Sequence, residues 1–275
     1  MDPRVAIVAL VTLAAAPAPA RPRIVGISHV AFRVSDAAAA RSFYEGWLGL
    51  RGMAVGDRQF LELVPGLDRG LDRLDHVGLA TDDVDAMRLY LAARGVEVPD
   101  RASRDASGRA AFTVHDPEGH AVEFVPAAPA GSGARAGGTP ETEAVSRRIL
   151  HAGIIAGDVP AAMRFYGDVL GFSETWRGSR SDAELSWINL KVPDGTDYLE
   201  LMLYGERPAP DARGTQHHAC LEVTDVEQAR AALEKRPYRG SYARTLEARV
   251  GVNRKRQLNL YDPDGTRIEL MKLAQ

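Results

Sequence analysis

The chain has 275 residues, 45% of them apolar and 26% charged, a globular composition long enough for two domains of common size. Its formal charge of −3 and pI near 6.2 give no global attraction to nucleic acid or acidic membranes, which leaves a small molecule as the expected partner. The single cysteine, Cys220, excludes an internal disulfide and reads as a small buried residue rather than a nucleophile.

Residues 1–20, "MDPRVAIVALVTLAAAPAPA", differ from everything after them. Arg4, an apolar stretch from Val5 to Ala16 and the small-residue box Ala18-Pro19-Ala20 read as a secretory signal peptide, although Asp2 offsets the charge of Arg4. The apolar run is too short to be retained as a membrane-spanning helix. The expectation is a mature chain that begins near Arg21 and is secreted or periplasmic.

From there four segments repeat: "HVAFRVSD" from His29, "HVGLATDD" from His76, "HAGIIAGD" from His151 and "HACLEVTD" from His218. Each histidine is followed seven residues later by an aspartate, Asp36, Asp83, Asp158 or Asp225. The alternation predicts a short strand with Val30, Phe32 and Val34 on one face and His29 and Ala31 on the other. The aspartate stands where a helix N-cap is wanted, ahead of "AAAARSFYEGWLG", "VDAMRLYLAARG", "VPAAMRFYGDVLG" and "VEQARAALEK". Packing the apolar face under that helix leaves the histidine on the other side of the sheet. Two places after each histidine stands a small residue, Ala31, Gly78, Gly153 or Cys220, which leaves room beside the imidazole. In the pair His217-His218 only His218 is in register, and His217 is expected to face the other way.

The repeats also end alike, with "FLELVPG", "AVEFVPA", "YLELMLY" and "RIELMKL" placing Glu62, Glu123, Glu200 and Glu269 inside short apolar strands. "DPEG" at 116–119 and "DPDG" at 262–265 are tight turns into two of these strands. Glutamate is depleted in strands and costly to bury alone, so four of them matched with four histidines need a common cause. Each unit has room for β-α-β-β-β, but the first is short: 26 positions separate Asp36 from Glu62, against 40, 42 and 44 in the others. The first unit is expected to lack most of a hairpin. Residues 127–147 are rich in Gly, Ala and Pro and read as a linker between two paired-unit domains, 21–126 and 148–275.

Histidines and carboxylates from facing units form a donor set for a divalent metal with positions left open. The second domain offers His151, Glu200, His218 and Glu269, and the first offers His29, Glu62, His76 and Glu123. A lone strand histidine is usually a satisfied core or surface residue, yet four of only seven histidines here occupy the repeat-equivalent place. The donor types suit zinc, nickel, iron and manganese alike.

On the β-α-β-β-β repeat, the "FY-x-x-x-LG" helices "FYEGWLGL" and "FYGDVLGF", the "DP-x-G" turns and the His/Glu positions, the chain resembles the vicinal oxygen chelate superfamily. That group includes glyoxalase I, extradiol dioxygenases, methylmalonyl-CoA epimerase and fosfomycin and bleomycin resistance proteins. The resemblance covers about residues 24–126 and 148–273 and implies an α+β fold, four modules in two glyoxalase-like domains with curved mixed sheets. It implies a metal that chelates two neighbouring substrate oxygens and offsets the charge that develops there. The glyoxalase type, a lyase or isomerase, uses a His, Glu, His, Glu order, which the second domain fills, and Glu200 or Glu269 would be the base.

The alternative, ring cleavage by an extradiol dioxygenase, needs only His151, His218 and Glu269. Such enzymes carry a histidine and a tyrosine shortly before the last turn. Here "GVNRKRQLNLYDPDG" has no histidine, and Asn259 stands at the tyrosine's place, with Tyr261 directly against the turn. Against the glyoxalase reaction itself, glutathione is chiefly a cytoplasmic thiol and this chain reads as exported. A non-catalytic binder of the resistance type typically lacks the metal ligands, so the complete sets count against it. From Glu234 to Arg256 the fourth unit carries an excess of six positive charges, which reads either as a solvated hairpin or as a grip on an anionic substrate group.

Overall fold

The computed structural model describes residues 19–128, 144–181 and 184–272. The signal peptide assigned to 1–20 and the linker assigned to 127–147 fall largely outside them. Among the described residues no helix is long and apolar enough to cross a membrane.

The first unit comprises β1 (Ile24–Val34), α1 (Ala37–Arg41), β2 (Ala54–Val55) and β3 (Gln59–Pro65). The second comprises β4 (Leu74–Thr81), α2 (Val84–Ala92), β5 (Ser103–Arg104), β6 (Ala110–His115) and β7 (Ala121–Pro126). The first has indeed lost a strand, and its β2 is only two residues long. The third runs β8 (Ile149–Ala156), α3 (Val159–Ala162), β9 (Ser173–Ser181), β10 (Glu184–Lys191) and β11 (Tyr198–Leu203). The fourth runs β12 (His218–Glu222), α4 (Val226–Glu234), β13 (Ala248–Val250), β14 (Arg256–Tyr261) and β15 (Arg267–Met271).

All four repeated aspartates cap their helices. Asp36 accepts from the amides of Ala38 and Ala39, Asp83 from Ala86, Asp158 from Ala161 and Asp225 from Gln228. After α1 and α3 the helix widens into a π-wound turn, Ser42–Trp47 and Met163–Val169, which carries the Phe-Tyr pair of the motif. Gly49 and Gly171 end these turns at φ of 75° and 80°, where a side chain would be strained.

Units pair in sequence. The first sheet has the order β2-β3-β1-β4-β7-β6-β5, and the second β13-β14-β15-β12-β8-β11-β10-β9. At each centre two opening strands run antiparallel, β1 with β4 and β8 with β12, and each is flanked by a parallel glutamate strand. The result is two curled mixed sheets of an α+β fold. Val30, Phe32 and Val34 enter the core while His29 and Ala31 face away from it, as the alternation predicts.

One apolar core runs through both halves. Its polar ties join motifs that the sequence presents as unrelated. In each Asp-Pro turn the aspartate Oδ1 organises its own turn, accepting for Asp116 from the amides of Glu118 and His120 and for Asp262 from those of Asp264 and Thr266. Oδ2 then accepts from a tyrosine of the other half: Tyr166 to Asp116 at 2.9 Å and Tyr44 to Asp262 at 3.0 Å. Both tyrosines belong to Phe-Tyr motifs and are fully buried. A hydrogen bond of this kind to a charged acceptor contributes about 2 kcal/mol.

Candidate metal centres

Strand register sets the site. In the second sheet Glu200 and His218 both lie opposite Gly153, and His151 and Glu269 both lie opposite Cys220. Two rows therefore cross the sheet, Glu200–Gly153–His218 and Glu269–Cys220–His151, related by the pseudo-symmetry of the units. The first sheet repeats them as Glu62–Ala31–His76 and Glu123–Gly78–His29. The small residues have a reason sharper than open space. A Cβ built on Gly153 would stand 1.9 Å from the His218 ring, and one on Gly78 would stand 2.1 Å from the His29 ring. Each of these glycines thus makes room for the imidazole of the partner unit rather than for its own, which corrects the expectation from sequence.

All eight expected ligands converge in two clusters. In the second centre the Nε2 atoms of His151 and His218 are 3.0 Å apart with their rings perpendicular. Glu200 Oε2 lies 3.8 and 3.5 Å from them, and Glu269 Oε2 lies 3.6 Å from His218 Nε2. In the first centre the His29 and His76 Nε2 atoms are 2.8 Å apart, Glu123 Oε2 lies 3.3 and 3.9 Å from them, and Glu62 Oε2 4.0 and 3.9 Å. Such separations suit donors held at about 2.0–2.2 Å from one cation. Outer contacts orient the rings: His218 Nδ1 donates to the Gln216 carbonyl, and His76 Nδ1 meets Asp75.

The centres differ in wetness. In the second, Glu269 and Glu200 side chains are 4% and 10% exposed, whereas in the first Glu123 and Glu62 are 25% and 45% exposed. The shortened first unit leaves Glu62 without a covering hairpin. Burial, reinforced by the Arg267 charge, holds His151 and His218 well below the usual histidine range. Burial and then the neighbouring Glu269 push Glu200 up to about 8, and burial raises Glu269 as well. In the first centre burial lowers His29, whereas Asp75, Glu123 and Glu62 together outweigh burial and raise His76.

The metal-free second centre thus keeps a proton on Glu200 at neutral pH, and a cation must displace it. Zinc affinity there is expected to rise with pH, up to about tenfold per unit, and to level off above about 8. Chelator competition in a His76→Ala background, which silences the first centre, checks this; a flat profile between pH 6 and 8 would contradict it.

His217 faces away from the cluster, as expected, and is fully buried against Asp72, with Nδ1 2.8 Å from Oδ1, while Arg213 holds the other oxygen. Sequence reasoning missed the cavity walls. About 340 Å³ opens over the second centre, lined by Trp176, Trp187, Arg249, Asn259 and Arg267 beside Glu200 and Glu269. Of the basic run, Arg249 lines this space, whereas Arg239 pairs with Glu234, Arg256 with Glu227, and Arg244 lies over the Tyr261 ring. Arg267 could have been found, since it stands two places before Glu269 and so shares its face of the strand.

With this geometry in place, comparison with known proteins identifies the class. A profile of the Glyoxalase/Bleomycin resistance protein/Dioxygenase superfamily matches residues 65–124 and 148–270, and the chain belongs to this superfamily. Over 131 residues it is 33% identical to the uncharacterized protein YaeR of Escherichia coli K12, spanning 45% of this chain and 95% of YaeR.

The fold is similar to that of the 2,3-dioxygenase LapB from Pseudomonas sp. KL28, at 18% identity and TM-score 0.68 over 93% of this chain and 94% of LapB. It is also similar to homoprotocatechuate 2,3-dioxygenase from Brevibacterium fuscum, at 21% identity and TM-score 0.68 over 94% and 74% of the two chains. The superfamily uses divalent metal ions, and the residues of both clusters fit one.

Proposed function

We propose that the chain is a metal-dependent lyase or isomerase of glyoxalase type, acting at the second centre on a small anionic substrate with two neighbouring oxygens. The observation that carries this reading is the second carboxylate. Two imidazoles and Glu269 would suffice to hold a metal for ring cleavage, yet Glu200 is buried on the same face. The bound metal would supply chelation of the two oxygens and offset the negative charge that develops on them. His151 and His218 are neutral donors, held so by burial. With the cation in place Glu200 is a carboxylate lining the cavity, placed to take a proton from one substrate carbon and return it to the next. Arg180, Arg249 and Arg267 give the cavity its positive charge, and Trp176 and Trp187 line its side.

Likeness of fold to two extradiol dioxygenases over more than nine-tenths of the chain supports a second reading, ring cleavage with His151, His218 and Glu269 as ligands. At the place of the family's tyrosine stands Asn259, an amide with no acid-base capacity near neutral pH. Metal-loaded protein assayed with a hemithioacetal and, separately, with a catechol distinguishes the two. Proton exchange or isomerisation without oxygen uptake supports the first; oxygen consumption with the catechol overturns it for the second. A metal-free preparation that holds an organic ligand tightly would instead indicate a binding protein.

A further inference from the structure

Beyond each imidazole the rows of both sheets continue to one more residue on the same face. Those four places are Phe60 beside His29, Ala121 beside His76, Tyr198 beside His151 and Arg267 beside His218. Three are uncharged and one is a cation, so the pseudo-symmetry of the second centre is broken. Its Tyr198 end is dry, packed with Leu150, Cys220 and Met271. Its Arg267 end opens on the 340 Å³ cavity.

Arg267 Nη2 lies 2.7 Å from His218 Nδ1 and 2.9 Å from Nε2, so the guanidinium rests against the imidazole while the Nδ1 hydrogen goes to the Gln216 carbonyl. The ring leaves its Nε2 lone pair for a metal and puts the guanidinium beside it. Arg267 Nε, moreover, is buried with no acceptor. A buried guanidinium with an unanswered N–H at the edge of the donor cluster calls for an anionic acceptor, and a carboxylate matches its fork in geometry and charge.

We propose that Arg267 selects the substrate of the second centre and fixes its orientation: a 2-hydroxy or 2-oxo carboxylate, with one carboxylate oxygen and the neighbouring oxygen on the metal and the remaining carboxylate oxygen on Arg267. The inference rests on the metal-dependent reading above and narrows its substrate class. Arg267 offers no lone pair to a cation, so its removal leaves metal content unchanged.

The test uses full-length protein with the first centre silenced by His76→Ala, loaded with Co²⁺ and titrated with lactate and with its neutral isostere lactamide, the visible cobalt spectrum reporting binding. Lactate is expected to bind at least about tenfold tighter than lactamide. In Arg267→Gln the preference falls below about twofold with cobalt content unchanged, and Arg267→Lys recovers part of it. Cobalt bound normally with the lactate preference intact in Arg267→Gln overturns the inference and leaves the metal reading standing. A parent protein that takes up no cobalt overturns the metal reading, and the inference with it.

Discussion

Replacing His218 with alanine is expected to empty the second centre while the first stays filled, so that elemental analysis of a saturated sample falls by one equivalent. The loss in affinity should reach at least about 100-fold, since even an outer partner of a ligand is worth 10–100-fold. His218 is the imidazole within reach of both carboxylates, 3.5 Å from Glu200 and 3.6 Å from Glu269. Its neighbour gives the control. His217→Ala keeps the metal but loses stability, by about 1–3 kcal/mol, because half-buried Asp72 loses its imidazole partner and keeps only Arg213 and the Leu74 amide. Equal metal contents in the two variants would refute the assignment of His218 as a ligand.

The second large effect comes from a residue with no donor atom. Gly153→Ala should cost the second centre its metal as severely as loss of a ligand, because the added methyl overlaps the His218 ring at 1.9 Å and 2.0 Å from two of its atoms. The ring is fully buried at the head of β12, so it must rotate away from the cluster or force the strands apart, and overpacking of this kind costs about 1–3 kcal/mol. Cys220→Ala, at the pseudo-equivalent place, removes atoms instead of adding them and should keep the metal. Thermal unfolding with and without zinc separates the outcomes. Zinc should raise the midpoint of a Cys220→Ala, His76→Ala double variant and leave that of a Gly153→Ala, His76→Ala double variant unmoved.

What could be read from the sequence was whatever repeats. Four histidines, four capping aspartates and four strand glutamates recur at fixed spacing, and each is placed by local rules of alternation, capping and turn chemistry that act within a few residues. Hence the units, the short first one and the convergence of both His/Glu clusters were legible. Relations between strands were not. That Gly153 serves His218 and not His151 depends on which residues face each other across β8 and β12, and no single strand carries that information. The basic run divides for a related reason. Its charges are spread over a helical turn at 237–241 and the strands β13 and β14, so Arg249 reaches the cavity while Arg239 and Arg256 answer nearby glutamates. The Phe-Tyr and Asp-Pro motifs were visible as separate signatures, but their joint purpose lies in contacts 50 and 218 positions apart.

Those crossed tyrosine–aspartate bonds reach further than their energies. Each half lends the other the acceptor for its own buried phenol, so the chain is wound like two clasped hands, with the fingers of one closing over the knuckles of the other. Scission between the halves would not release two independent proteins, because each fragment would bare a flank of aromatic rings and a stranded hydroxyl. An engineer wishing to isolate the drier, arginine-bearing centre would do better to disable the other in place than to cut it away.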